Sequence, residues 1–441
     1  MLSQAPSWPD VSRHGHWTAS VMSWADAKYG PVSGLGGMRM AHPEPEFWVF
    51  AADFTRTPVG NWFGGNPTGA AGASIYADEA LLRCLGEVAE RYSALTAPIE
   101  GTVRPVDPEF IRMFPRCAKD EECSPILRGD IPESPVTHVP MTWLANGERV
   151  EVPAGYAHLT LPPPSEPLMT TPISSGLAFD PSLETALWRG ICEVAERDAL
   201  MLTWWQRKPV AEIDVGCGTA GLPGSFPHLA DRLSRVAAAS LRARFFDITT
   251  DFSVPTVVCI LTGDRFPFLT VGAACRGAAD AACAKSLDEA VAIRLAINGA
   301  EGFAPPSLDD FNWLEDLEDH ARLYAAGHLR HALDFLLDGD QSPITLSQMA
   351  ERPALGTPRT MAELRDVATN LQHKGLTVLW TDLTAPELSS DGHVVKVVIP
   401  QMVPLPQLHR VRWLGTARLR RSGDDEVPLA ASFNPYPHPF A

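Results

Sequence analysis

DPSLETALWRGICEVAERDALMLTWW, residues 180–205, is the longest helical pattern in the chain, and it carries charge where such a helix is otherwise apolar. Asp180 suits an N-cap and Pro181 the first helical position, where a missing N–H costs nothing. Wound into a helix, Ala186, Leu187, Trp188, Ile191, Cys192, Val194 and Ala195 cover most of the circumference and leave one narrow stripe of Arg189, Glu193, Glu196 and Arg197. A helix so nearly apolar all round is buried. The stripe must then face other charges or a wet cavity, because an unpaired buried carboxylate is too costly to keep.

The same core occurs a second time. Residues 80–91 read ALLRCLGEVAER and residues 186–197 read ALWRGICEVAER, with Glu-Val-Ala-Glu-Arg in register. Glu87 and Glu90 share one helix face with Arg91, opposite Leu81, Leu82, Leu85, Val88, Ala89 and Tyr92. Taken singly, either motif is a solvated face with an ion pair one turn apart, contributing a few tenths of a kcal/mol. The repetition changes the reading. Two acidic pairs brought together by a fold repel unless cations bridge them, and hard divalent ions with oxygen ligands suit such a cluster, magnesium carrying a nucleotide phosphate above all.

With 441 residues, 45% hydrophobic and 20% charged, the chain has the composition of a globular enzyme with one large or two ordinary cores. No apolar run approaches the length of a spanning helix, and Met1 to Trp17 lacks the order of a signal peptide, so a soluble cytoplasmic protein with no membrane partner is expected. A net charge of −17 argues against a nucleic acid as partner, though not against a nucleotide held through metal ions and a few arginines. The cysteines at 84, 117, 123, 192, 217, 259, 275 and 283 include no CxxC, which disfavours structural zinc and leaves reduced thiols.

Residues 1–57, rich in Pro, Gly, Trp and His, read as a lead-in packed on the main domain, with Phe47 to Ala51 as one strand. Gly64 to Ser74 reads as a glycine-rich loop before the first acidic helix, with Asp78 as its cap and backbone N–H groups able to cradle phosphate. It lacks the lysine of a P-loop. The proline-rich span from Thr96 to Leu168 suits short strands and loops. Val254–Leu261 and Phe266–Val271 read as strands joined at Thr262 to Arg265, leading into a helix over Ala278–Ile297 that bears Glu289 and Arg294. A further helix starts near Trp313 and carries His320, a structural histidine by its amphipathic setting. Met361–Lys374 reads as a helix, and Thr377–Asp382 and His393–Ile399 as strands. The sum is an α/β (α+β) chain with mixed or antiparallel pairing.

The last eight residues, NPYPHPFA, contain Pro435, Pro437 and Pro439 at alternate positions and end in Ala441. Such a segment favours extended polyproline II and loses little entropy on docking. In isolation it would be a loose tail.

Taken together, the two Glu-x-x-Glu-Arg helices, the Ser174-Ser175-Gly176-Leu177-Ala178 lead-in, the Glu196-Arg197-Asp198-Ala199 step and this terminal segment resemble the YcaO family, most closely its discrete azoline-forming cyclodehydratases of ribosomal peptide biosynthesis. The likeness runs from about Gly30 to the C-terminus. It implies a YcaO fold, with mixed and antiparallel sheets and helices around a central ATP cleft, and a catalytic domain over 58–441. It implies ATP and Mg2+ as cofactors, with Glu87, Glu90, Glu193 and Glu196 on the metal. Arg91, Arg197 and Arg294 would bind phosphates or orient those carboxylates. The tail at Pro435, Pro437, Pro439 and Ala441 would align the peptide or present its terminal carboxylate as a base.

Two departures stand out: relatives carry Gly-Lys-Gly about where Gly72-Ala73-Ser74 stands, and glutamine where Ala292 precedes Arg294. The implied reaction is attack of a Cys, Ser or Thr side chain of a precursor peptide on the preceding carbonyl, transfer of the γ-phosphoryl of ATP to the resulting oxyanion, and loss of phosphate to leave an azoline. Its implied partners are the precursor peptide, a separate leader-recognition protein of ubiquitin-activating-like fold, a flavin-dependent azoline dehydrogenase and a second copy of the chain. The alternatives are thioamide or amidine formation through the same activated amide, and a non-catalytic scaffold subunit.

Overall fold

The computed structural model describes residue 24 and residues 30–54, 69–160, 163–216, 226–420 and 429–440. Three sheets organise them. The first is an antiparallel trio, β1 (Val32–Arg39), β2 (Trp48–Phe54) and β3 (Gly69–Ser74), in that order. The second runs β4 (Thr102–Arg104), β5 (Val136–Trp143), β13 (Leu379–Asp382), β14 (His393–Val398) and β7 (Leu177–Asp180), with β6 (Arg149–Pro153) also on β5, all antiparallel. The third runs β11 (Leu269–Cys275), β10 (Thr256–Thr262), β9 (Arg242–Asp247), β8 (Glu212–Asp214) and β12 (Ile344–Thr345), and only its β12–β8 edge is parallel. Strands on either side of residue 57 thus pair with one another in the first sheet.

The long helices lie between these sheets. Helix α1 (Ala77–Thr96) packs on β2 and β3 and also on β7. Helix α2 (Leu183–Gln206) packs on β14 and β7 on one side and on β11 on the other. Helix α3 (Pro227–Ala238) and helix α4 (Ala279–Ile297) cover the third sheet, and α4 also reaches β3. Helices α5 (Leu317–Ala325) and α6 (Met361–His373) complete the set. The helices with repeated acids therefore sit in the middle of the molecule. That position follows from composition, since fifteen of the residues of α2 are buried, among them Trp188, Trp204 and Trp205.

Two expectations shift for local reasons. Asp180 does not cap α2: it still belongs to β7, paired with His393, and its side chain accepts from Ser182 N–H at 3.0 Å, while Ser182 takes the cap by accepting from Thr185 N–H. Likewise Asp78 lies inside the first turn of α1, whose N-cap is Tyr76. The glycine-rich stretch is corrected too, because its residues 69–74 form β3 rather than a loop, while residues 64–68 fall outside the described set. Small residues there serve packing. A Cβ on Gly72 would collide with the carbonyl oxygen of Ala80, so glycine is what lets β3 lie against α1.

No helix of the described residues is long and apolar enough to cross a membrane. Every cysteine among them is a free thiol, and Cys217 lies outside them.

Candidate active site

Each of the four glutamates is held by a backbone N–H from a different strand or loop. Glu87 accepts from Ala71 N–H at 3.0 Å and pairs with Arg91 at 2.5 Å. Glu90 accepts from Phe179 N–H on β7 at 2.9 Å. Glu193 receives the N–H of Gly176, in the turn before β7, and Glu196 accepts from Cys275 N–H on β11 at 2.9 Å. Gly176 has φ +86°, and a Cβ there would strike the carbonyl oxygen of Val397. That turn therefore requires glycine to present its N–H to Glu193.

Charge confirms that these carboxylates are neighbours. Burial and then the Glu193 carboxylate push Glu90 up to about 8. Glu196 rises to about 7, chiefly from burial, with Arg197 opposing and Glu289 adding to the rise. Glu193 is also raised by burial, against the pull of Arg197 and Lys396. Carboxylates raised by burial first and by one another second gain from added positive charge. Arg197 lies 3.9 Å from Glu193 and 3.7 Å from Glu196, and its Nε has no hydrogen-bond partner.

The fifth acid is Glu289 on α4, noted in the sequence without a role. Its field acts on Glu193, Glu196 and Arg197. Burial works to raise it, but Lys285 at 3.0 Å, Arg197 and Arg276 together hold it below the usual carboxylate range. Its signal in the sequence was faint, because Lys285 and Glu289 look like any ion pair one turn apart. Helices α1 and α4 are themselves joined beside the site by Arg83 on Asp288 at 2.8 Å, with Arg232 of α3 on the same buried Asp288.

Among the described residues no three His, Cys, Asp or Glu side chains converge to hold one ion by themselves. Mg2+ keeps several waters and is bound by one or two carboxylates plus phosphate oxygens, not by an all-protein cage. An oxygen-only donor set spread over three helices, with carboxylates raised by burial and by one another, fits metal-bearing phosphates.

Of the arginines, Arg91 is spent on Glu87 and on Gly69 carbonyl at 2.6 Å, so it orients a carboxylate. Arg294 is engaged elsewhere. Its guanidinium, almost fully buried, forks onto Glu44 at 2.6 and 3.0 Å and donates to the carbonyl of Pro267, which leaves it tied to the segment before β2 instead of to the glutamates. A long helix lets residues five positions apart face different neighbours, and Glu289 rather than Arg294 faces the site.

The proline segment is docked. Asn434 donates its backbone N–H to Trp205 carbonyl at 2.9 Å, Trp204 Nε1 donates to Tyr436 carbonyl at 3.0 Å, and Tyr324 hydroxyl donates to Pro437 carbonyl at 2.5 Å. His438 is fully buried and feels the charge of Arg197, and Phe440 joins the core around Trp204 and Trp205. Pro435, Pro437 and Pro439 thus lie in a segment bonded to the C-terminal end of α2, at Trp204 and Trp205. Ala441 lies outside the described residues. His320 is structural, as its setting suggested: buried between His438 and Gln407 carbonyls at 3.2 Å each, it holds this segment in place.

Solved structures share the architecture. A heterocyclase in complex with substrate and cofactor aligns at TM-score 0.71 and 19% identity, covering 96% of this chain and 57% of its own, so the chain spans little more than half of that protein. YcaO from Methanopyrus kandleri, bound with AMPPCP and Mg2+, aligns at TM-score 0.60 and 17% identity over 87% of this chain and 90% of its own. A chain of the E. coli microcin synthetase McbBCD complex aligns at 0.61 and 17% over 91% and 96%. No curated protein matched the chain. Residues 71–403 match the family model described as YcaO cyclodehydratase, ATP- and Mg2+-binding, a span that contains all five glutamates and both repeated helices, and the chain belongs to that family.

Proposed function

We propose that this chain is an ATP-dependent cyclodehydratase that converts Cys, and in the same manner Ser or Thr, of a ribosomally made precursor peptide into azolines. The observation that carries this reading is the docked proline segment, held on α2 by Trp204 and Trp205, the helix that also bears Glu193, Glu196 and Arg197. The likeness to heterocyclases and to the microcin synthetase complex supports it.

ATP and Mg2+ are the cofactors of the family. When bound, they supply an electrophilic γ-phosphoryl that turns an amide oxygen into a leaving group. Glu87, Glu90, Glu193, Glu196 and Glu289 would hold the metal ions. Arg197, whose Nε–H has no partner, and Lys285, now paired with Glu289 at 3.0 Å, would supply positive charge to the phosphates. The backbone N–H groups on Glu90, Glu193 and Glu196 fix the carboxylates before the nucleotide arrives, so little reorganisation is left for the reaction itself.

The partners belong to the same proposal. A separate leader-binding protein would deliver the precursor, as assembly with other subunits in the McbBCD complex suggests. A flavin-dependent dehydrogenase would act on the azolines, and a second copy of this chain would complete a homodimer. Incubation with ATP, Mg2+, precursor and partner should release one phosphate per ring, and each ring should cost the peptide one water. Phosphate release without any loss of mass from the peptide would sink the reading. A mass gain that requires sulfide would replace it with thioamide formation.

A further inference from the structure

A cavity of about 290 Å³ opens at the turn end of the third sheet, where β10 passes into β11, at the lower end of the size range of ligand sites. Three residues that line it stand in one row across three strands, because Arg242 pairs with Thr262 and Thr262 with Leu269. Residues directly opposite one another share a face of the sheet. That face is the one covered by α5 and the chain after it. Two residues along β9, Arg244 donates to the carbonyl of Leu337, and Leu269 belongs to the core that contains Leu323, Tyr324 and Leu333. The Arg242 side chain is therefore turned toward the cavity, which Tyr324 of α5 and Arg330 beyond it also line.

The two arginines are unpaired. Arg244 forks onto Glu212 at 2.9 and 2.8 Å, but neither Arg242 nor Arg330 has a hydrogen-bond or ion-pair partner for its guanidinium among the described residues. Asp264, the one acid in the wall, is exposed on the turn and pairs with neither. In a chain of net charge −17, two free guanidiniums lining one cavity are a recognition element for an anion with several acceptor oxygens. Ser240 adds a hydroxyl. Elsewhere the wall is apolar: Leu269 is buried, and the Phe268 ring, 44% exposed, lies beside Gly327.

We infer that this cavity binds a small phosphate ester, its phosphoryl oxygens on Arg242 and Arg330 and its organic part against Phe268 and Leu269. A phosphoryl group carries more charge than a carboxylate and three strong acceptor oxygens, which two guanidiniums can share. The apolar wall gives the organic part its place. This site is separate from the glutamates. Leu269 begins β11 and Cys275, whose N–H serves Glu196, ends it, about 20 Å away along a strand of that length. Tyr324 donates its hydroxyl to the carbonyl of Pro437, so the ligand rests against a residue that holds the proline segment. The inference stands whether or not the chain forms azolines.

Calorimetry tests it on the full chain saturated with Mg2+ and a non-hydrolysable ATP analogue, so that the nucleotide site is already filled. Phenyl phosphate should bind to a single site, and inorganic phosphate, without an apolar part, should bind there about tenfold more weakly. Acetate should show no saturable binding. Arg242 and Arg330 are exposed, so Arg242→Gln and Arg330→Gln should melt as the unaltered protein does. Each should weaken phenyl phosphate about tenfold or more, while affinity for the ATP analogue changes less than about twofold. Phe268→Ala should weaken phenyl phosphate and leave inorganic phosphate as it was. Absence of saturable phenyl phosphate binding would overturn the proposal, as would binding that survives both arginine substitutions. Equal affinity for the ester and the free ion would overturn it too. So would a parallel loss of affinity for the ATP analogue, which would assign the cavity to the nucleotide.

Discussion

Glu90 Oε1 accepts the backbone N–H of Phe179 at 2.9 Å, so the first acidic helix is fastened to the strand that leads into the second. One oxygen does the fastening, and the charge is a separate matter. Glu90→Gln keeps a carbonyl oxygen for Phe179 and removes the repulsion with Glu193 and Glu87 that helps push Glu90 up to about 8. The variant should melt at or above the temperature of the unaltered protein. Its Mg2+-dependent phosphate release should fall by about 10² to 10³, as when one group that stabilises transition-state charge is lost. A stable variant with undiminished release would remove Glu90 from the metal site.

Glu289 makes the opposite case, because its ionised form is favoured by Lys285, Arg197 and Arg276. Glu289→Gln leaves those cations facing one another and should raise the concentration of Mg2+ needed for half-maximal ATP hydrolysis by about tenfold. Titration of Mg2+ at saturating ATP checks it. An unchanged midpoint would show that Glu289 only neutralises Lys285.

Arg294 and Glu44 form a buried pair, and removing one partner of such a pair strands the other. Arg294→Met should destabilise the fold by about 3–5 kcal/mol, and adding Glu44→Gln should recover part of that loss. Denaturant melts of the three variants test it. Wherever the protein is folded, KM for ATP should stay as it was, and a selective rise in KM would return Arg294 to the nucleotide.

The contrast between Glu289 and Arg294 shows what the sequence could and could not reveal. Helix α2, its buried character and the repeated acidic pairs were legible because apolar periodicity and an exact pentapeptide repeat are local signals. The partners of each acid were not. Phe179, Cys275 and Gly176 meet Glu90, Glu196 and Glu193 only because α1 and α2 are interleaved between three sheets, which no local pattern states. Gly69 to Ser74 misled for a similar reason. Glycine and alanine look like a loop, yet here they make a strand thin enough to lie on α1. Lys396 gave no signal at all, since a lone lysine in a Val-rich strand marks an edge or a face turned to water far more often than a buried donor to carbonyls such as those of Ile173 and Ser175.

The raised carboxylates set a pH dependence whose direction can be derived. Glu90 and Glu196, at about 8 and about 7, retain protons in the folded chain that the unfolded chain, near 4.5, has lost. The native state therefore binds more protons between these limits, and stability without Mg2+ should fall as pH rises from about 5 to about 8. Magnesium on a nucleotide requires the ionised acids, so its binding should release protons and tighten over the upper part of that window. Melting temperatures across this range, with and without Mg2+ and a non-hydrolysable ATP analogue, check both signs. Stability without Mg2+ that rises with pH would contradict the first.

The proline segment should respond to acid in its own way, through three histidines. His320 stacks on His438 with ring centroids 4.2 Å apart, and His409 lies 6.4 Å from His320. Both nitrogens of His320 face carbonyls, those of His438 and Gln407, although a neutral ring has a single N–H to give. Protonation would fill both contacts, yet burial outweighs them and draws His320 down to about 4. Burial draws His409 and His438 down as well, aided by Arg412 beside the first and by His320 beside the second. A histidine freed from this packing protonates near 6.5, so the released state gains protons that the docked state refuses. Docking is thus independent of pH above about 6.5 and weakens below it, by up to about 1.4 kcal/mol per pH unit for each histidine that titrates. Trp204 and Trp205, which bond to Tyr436 and Asn434, should report the release as a fluorescence change on acidification. In His320→Phe, which keeps a ring in the stack and cannot titrate, the acid transition should become shallower. A transition of unchanged steepness would place the acid sensitivity elsewhere in the chain.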